Sequence, residues 1–216
     1  TVDAERLCTY FGGAPMLHAE GRTFPVQRLF LEDCYEMLGY RLDPDSPAAL
    51  RGDPRLRDKR GVEKAVSSSQ AKIIGAGWGD DAEEVALNPN YDPEYFSGLS
   101  EAARKNLRRL DESRIDFDLV EAVVAFIDEN QSDGAILVFL PGFGEIAEMH
   151  GRLTASFRFR GEARDWILPL HSTVAPAEQR RAFAVPPKGI RKVVLATNIA
   201  ETSLTIEDVV YVVDSG

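Results

Sequence analysis

The chain has 216 residues, 44% of them hydrophobic, enough apolar mass to bury the core of one domain or slightly more, which excludes a wholly disordered or fibrous protein. Its 25 Lys and Arg against 35 Asp and Glu give a formal net charge of −10, which taken alone argues against a polyanionic partner. The charge is unevenly placed, however: residues 1–133 hold 16 basic and 26 acidic side chains and residues 134–216 hold 9 of each, so the second part is neutral and able to meet a phosphate backbone.

The N-terminal residues Ala4 to Phe11 form a helical pattern closed by Gly12-Gly13. Two strand-like stretches follow, Pro15 to Ala19 and Pro25 to Leu31, separated by Gly21-Arg22-Thr23, and then a short helix around Glu32 to Leu38. From about Asp43 to Gly98 the composition turns to Asp, Pro, Gly, Ser and Arg without sustained apolar period, which marks a long irregular insertion. Regular structure resumes with a helix over Ser100 to Leu110, capped by Ser100.

The remainder alternates. Helix (Asp116 to Glu129), strand (Ala135 to Leu140), helix (Phe143 to Leu153), strand (Trp166 to Pro169), helix (Pro176 to Phe183), strand (Lys192 to Ala196) and strand (Val209 to Val213) follow in order. The runs Ile136-Leu137-Val138-Phe139 and Val193-Val194-Leu195 have no polar interruption, as expected of strands covered by helices on both faces. The fold class is therefore α/β, a doubly wound parallel sheet carrying a long irregular insertion.

Two cysteines, Cys8 and Cys34, are too few for a disulfide framework, and no apolar run approaches the roughly eighteen residues that span a bilayer. Thr1-Val2-Asp3-Ala4-Glu5 has neither the basic nor the apolar region of a signal peptide. A soluble protein of a reducing compartment is expected, cytoplasmic or alternatively nuclear, with no membrane partner.

Several familiar chemistries are missing. No G-x-x-x-x-G-K-[ST] loop occurs, so the chain is not a complete phosphate-loop ATPase, and no G-x-S-x-G elbow marks a hydrolytic serine. The histidines at 18, 150 and 171 are too dispersed for zinc. Val123 to Glu129 imitates a magnesium-binding strand that ends in Asp-Glu, yet Leu119, Val120, Val123, Val124 and Ile127 recur at helical period, and the segment reads as a buried amphipathic helix. Polar groups cluster instead at strand C-termini, where doubly wound sheets hold ligands. These are Leu140-Pro141-Gly142, Leu170-His171-Ser172 and Thr197-Asn198, whose hydroxyls and amides suit successive phosphates of one nucleic-acid strand, contacts that position without reading sequence.

Phe139-Leu140-Pro141-Gly142 with Glu145-Ile146, Leu168 to Ser172 with Glu178 to Phe183, and Arg191 to Ile206, which includes Thr197-Asn198-Ile199-Ala200-Glu201-Thr202-Ser203-Leu204-Thr205, resemble motifs IV, IVa and V of DEAH-box RNA helicases. Thr1 to Glu5 with Tyr10-Phe11, and Gly21 to Val26, are also similar to this family, where they follow the Ser-Ala-Thr motif that closes the first RecA-like domain. The resemblance makes residues 1–24 the tail of that domain and its linker, and residues 25–216 an incomplete second RecA-like domain with its insertion at about 43–98. It also implies a larger parent enzyme, with the phosphate loop upstream and an arginine-bearing motif downstream.

What the resemblance implies for single residues is specific. Phe183 would stack on the adenine base and Glu207, usually aspartate in the spliceosomal relatives, would contact the nucleotide ribose. Thr197, Asn198, Ser172 and Gly142 would contact RNA, and Glu201, Thr202 and Ser203 would lie toward the γ-phosphate and its attacking water. The implied cofactors are ATP and Mg2+, the metal held mainly by the first RecA-like domain. The implied partner is single-stranded RNA bound without regard to sequence, with ribosome or protein partners in addition. The implied function is ATP-dependent RNA unwinding and translocation; a catalytically inactive RecA-like scaffold is the alternative.

Overall fold

A computed structural model of the chain describes residues 3–17, 24–50, 88–171, 174–197 and 205–216. Its organising element is a sheet of four parallel strands, β1 (Ala135–Phe139), β2 (Ile167–Leu170), β3 (Val193–Ala196) and β4 (Val209–Asp214), in the spatial order β2-β3-β1-β4. Around them lie α1 (Ala4–Tyr10), α2 (Leu31–Leu38), α3 (Glu101–Arg109), α4 (Phe117–Asn130), α5 (Phe143–Ala155) and α6 (Pro176–Arg181), with two 3-10 turns, Phe157–Phe159 and Gly161–Trp166, leading into β2. Phe139 and Leu170 both pair with Ala196, and Phe139 also with Asp214, so the four strands end level along one edge.

Strand alternation divides the apolar runs between two faces. Ile136, Val138, Ile167, Val193 and Leu195 turn to the face covered by Val120 and Val124 of α4, by Ile146, Met149 and Leu153 of α5, and by Phe159. Leu137, Leu170, Val194 and Ala196 turn to the other, where they meet Ala182, one residue past α6, and the partly buried Ile206. The central strand is thus apolar on both sides because both sides are roofed, as the uninterrupted runs predict. Burial alternates along β4, an edge strand, and its Val210 and Val212 stay exposed.

Helix α4 packs on two sides at once. While Val120 and Val124 enter the sheet core, Leu119 and Val123 join Tyr35, Ala103 and Leu107 in a second cluster built by α2, α3 and α4. The Asp128-Glu129 end is helical: Asp128 pairs with Arg158 and Arg191, and Glu129 with Arg158. Ser100 caps α3 as expected, its Oγ accepting from Ala103 N at 3.2 Å, and Asp116 caps α4, its Oδ1 accepting from Leu119 N at 3.1 Å.

Two expectations are corrected. Neither Pro15–Ala19 nor Pro25–Leu31 supplies a strand among its described residues: Met16, Leu17, Val26 and Leu29 are exposed, no strand pairs with them, and α2 already starts at Leu31. Strand propensity without a partner ladder leaves the backbone irregular. The ends of the irregular stretch, by contrast, are built into the fold. Leu50 N donates to Arg109 O at 2.7 Å and Asp111 N to Ala48 O at 2.8 Å, forming a bridge between Ala49 and Leu110. Buried Asn88 donates to Leu107 O and Glu112 Oε1, and Tyr91 and Phe96 stack against the second cluster. Residues 51–87, the body of the expected insertion, lie outside the described residues.

Two local constraints fix how the helices meet the sheet. Gly134 sits at φ +143°, and a Cβ there would lie 2.4 Å from Val210 Cγ2. Buried Asp116 accepts the Tyr40 hydroxyl at 3.0 Å on both carboxylate oxygens while capping α4. Burial pushes the Asp116 carboxyl above its ordinary 3.8, partly opposed by the Leu119 and Tyr40 hydrogen bonds.

Gly134→Ala is expected to destabilise the fold by about 2 to 4 kcal/mol, combining a disfavoured backbone with a clash against β4, seen as a lower denaturant midpoint at unchanged slope. Asp116→Ala, which removes cap and Tyr40 acceptor together, should cost about 2 to 3 kcal/mol. Asp116→Asn keeps both and should cost less. Because the folded pKa of Asp116 is raised, its contribution is greatest below the unfolded value and is lost as pH rises through the folded one. The stability of the wild type relative to Asp116→Asn should therefore increase as pH falls from neutral toward 4, measured by denaturant titration at each pH.

Candidate functional site

The parallel sheet brings one group of expected site residues together at its C-terminal edge. β1 runs through buried Leu140, whose N–H donates to Ala196 O at 2.9 Å, into half-buried Gly142, the N-cap of α5. No side chain caps this helix, so its first-turn amides and dipole face the strand ends. Beside Leu140, β3 releases half-buried Thr197, and beside that β2 releases His171. The His171 ring meets exposed Phe143 edge to face, centroids 5.0 Å apart, which joins the start of α5 to the end of β2. On the other flank a cleft of about 330 Å³ opens between the ends of β1 and β4, lined by Pro141, Val212, Asp214 and Ser215 among others.

A second group lies at the opposite edge. Phe183 follows the C-cap of α6 and is 41% exposed, outside every buried cluster. Exposed Glu207 stands in the turn that enters β4. Lys192, at the start of β3, marks their common edge: its ammonium donates to Ala182 O at 2.7 Å, to Ala184 O at 2.8 Å and to Asp208 Oδ1 at 2.6 Å. Strands of four to six residues, about 13 to 20 Å long, therefore separate Phe183 and Glu207 from Gly142 and Thr197. Since β3 and β4 are parallel, the connection that leaves Thr197 has to return the length of the sheet to reach Asp208. Ser172, Asn198, Glu201, Thr202 and Ser203 lie outside the described residues.

Arg191 and Lys192, which stand in the motif-bearing stretch with no role expected of them, are both structural cations. The Arg191 guanidinium donates to Ser132 O, Gly134 O and Gln131 O, closing the C-terminal end of α4, and pairs with Asp128. Two cations directly before an all-apolar strand, where charge has no place unless paired, are the signal that would have found them.

Residues 118–216 match the helicase conserved C-terminal domain family. Over 218 residues the whole chain is 49% identical to the chloroplastic DExH-box ATP-dependent RNA helicase DExH4 of Arabidopsis thaliana, of which it covers 14%. It is 37% identical over its whole length to the ATP-dependent DNA/RNA helicase DHX36 of Mus musculus, of which it covers 20%. The crystal structure of the E. coli DExH-box NTPase HrpB is 42% identical over 47% of this chain and 12% of its own, with a TM-score of 0.39. The chain spans 14 to 20% of the length of these two curated relatives.

Exposure of Phe183 has a consequence for stability. Phe183→Ala should lower unfolding free energy by about 1 kcal/mol or less, whereas Phe159→Ala, at a ring buried in the sheet core, should cost about 3 to 5 kcal/mol. Urea denaturation of the two variants side by side checks the contrast.

Proposed function

The chain belongs to the DEAH/DExH-box family of RNA helicases, and on that premise we propose that it forms most of the second RecA-like domain of an enzyme coupling ATP hydrolysis to translocation on RNA and RNA unwinding. The observation that supports this reading is that Gly142 and Thr197 stand at one edge of the sheet and Phe183 and Glu207 at the other.

At the C-terminal edge, Thr197 offers a neutral hydroxyl and Gly142 its backbone N–H to phosphate oxygens, contacts indifferent to base identity. Phe143 and His171 supply aromatic surface beside them. Ser172 and Asn198 complete the RNA set. At the N-terminal edge, the exposed Phe183 ring suits an adenine face and the Glu207 carboxylate suits a ribose hydroxyl. Glu201, Thr202 and Ser203, on the connection between the zones, act at the γ-phosphate and its attacking water.

Among the described residues no three His, Cys, Asp or Glu side chains are grouped to hold a metal ion. By the family resemblance, Mg2+ would be held mainly by the first RecA-like domain, where it would neutralise charge on the transferring phosphoryl group. Closure of that domain on ATP would move its RNA contacts relative to the C-terminal edge of this sheet, and repeated closure is translocation. Ribosome or protein partners, and a cytoplasmic place of action, complete the reading.

In the complete protein, Phe183→Ala should raise KM for ATP about 5- to 30-fold, the equivalent of 1 to 2 kcal/mol, with a smaller change in kcat. Thr197→Ala should weaken RNA binding by about 1 kcal/mol on every sequence without altering the salt slope, because no cation is removed. It should also reduce RNA-stimulated ATPase more than basal turnover. RNA affinity at several salt concentrations, measured beside both ATPase rates, checks these outcomes; unchanged RNA binding and stimulation in Thr197→Ala would remove RNA from this edge.

A further inference from the structure

We infer that Lys192 and Asp208 are a positioning pair that orients Phe183 and Glu207 toward the nucleotide, an assignment resting on the reading of Phe183 as the base-stacking residue. Lys192 is 0% exposed and follows a loop directly into the all-apolar strand β3. An ammonium in such a place is costly unless every proton has an acceptor. Here the three protons meet three acceptors, at 2.6 to 2.8 Å.

The identity of those acceptors carries the inference. Ala182 O and Ala184 O belong to the residues on either side of Phe183, in the Ala182–Phe183 and Ala184–Val185 peptides, so the ammonium pins the chain just before and just after it. With the chain held at both points, the turn that carries Phe183 is restrained, and with it the direction of its Cα–Cβ bond. The ring itself is left 41% exposed, held at its base and open at its face. α6 has six residues and lacks a side-chain N-cap, so it contributes little rigidity of its own.

The third acceptor extends the same grip to the other nucleotide-facing position. Asp208 follows Glu207, its backbone carbonyl accepts from Ala135 N at 2.7 Å, and its carboxylate is drawn to Lys192. One ammonium thus ties the turn bearing Phe183 to the turn bearing Glu207, although more than twenty residues separate them in the chain. Burying an uncharged side chain of similar volume would fill the same space without holding either turn.

The test uses the complete protein and compares KM for ATP with KM for ribose 5-triphosphate, which lacks the base, in the wild type, Phe183→Ala, Lys192→Met and Asp208→Asn, with thermal unfolding followed in parallel. Phe183→Ala should erase most of the preference for ATP. Lys192→Met and Asp208→Asn should each cut that preference at least fivefold while kcat at saturating ATP changes less than threefold. The double variant Phe183→Ala/Lys192→Met should lose no more preference than Phe183→Ala alone, because both changes remove one interaction. If Lys192→Met does not fold, Asp208→Asn, which leaves both carbonyl acceptors in place, reads the same ratio. A collapsed preference in Phe183→Ala with an intact one in the folded Lys192→Met or Asp208→Asn overturns the positioning role alone, whatever the loss in melting temperature. An intact preference in Phe183→Ala overturns the stacking reading and the positioning role together.

Discussion

Two consecutive cations at the threshold of β3, half-buried Arg191 and fully buried Lys192, tie the helix ends to the sheet. Arg191 gathers the carbonyls at the end of α4, and Lys192 gathers those at the end of α6. Helix C-termini leave carbonyls without intrahelical partners, and burying them beside a sheet requires donors from elsewhere. Supplying both sets from adjacent residues on one strand fixes two helix ends at a single point of the sheet. The same point sets strand register, since Lys192 O accepts from Ile136 N at 2.9 Å where β1 and β3 begin to pair. Taking Lys192 away would leave buried acceptors without a donor, a larger penalty than the pair's own net gain.

From that point the two working edges follow. A parallel sheet cannot place consecutive strand ends and strand starts together, so residues close in sequence around β3 are sent to opposite edges. Thr197 and Lys192 are five positions apart, yet one belongs with Gly142 and the other with Phe183 and Glu207. The two edges are joined by a short, fully buried strand whose four residues are packed alternately on both faces. Packing of that density shifts as a unit and does not deform piecemeal.

The repeating part of this architecture was legible in the sequence. Helical period identified α4 against the strand-like look of Val123 to Glu129, Ser100 announced its helix, and uninterrupted apolar runs announced roofed strands. What escaped depended on partners distant in the chain. The segments around Pro15 and Pro25 have strand composition but no ladder to join. Tyr91, Phe96, Ala48 and Asn88 are isolated contacts on α3, and isolated contacts leave no period to read. The candidate site residues stood out by the wording of the motifs that carry them. Their division between two edges did not, because it follows from the order β2-β3-β1-β4, which no local pattern encodes.

The double-sided packing of α4 has a bearing on how the molecule opens. Leu119 and Val123 serve the helical cluster and Val120 and Val124 serve the sheet, so α4 cannot leave one without exposing the other. The helical lobe and the sheet therefore share their most protected amides and behave as one cooperative unit in native-state hydrogen exchange. Segments outside both clusters, such as Phe24 to Leu29, exchange through local fluctuations that leave that unit closed.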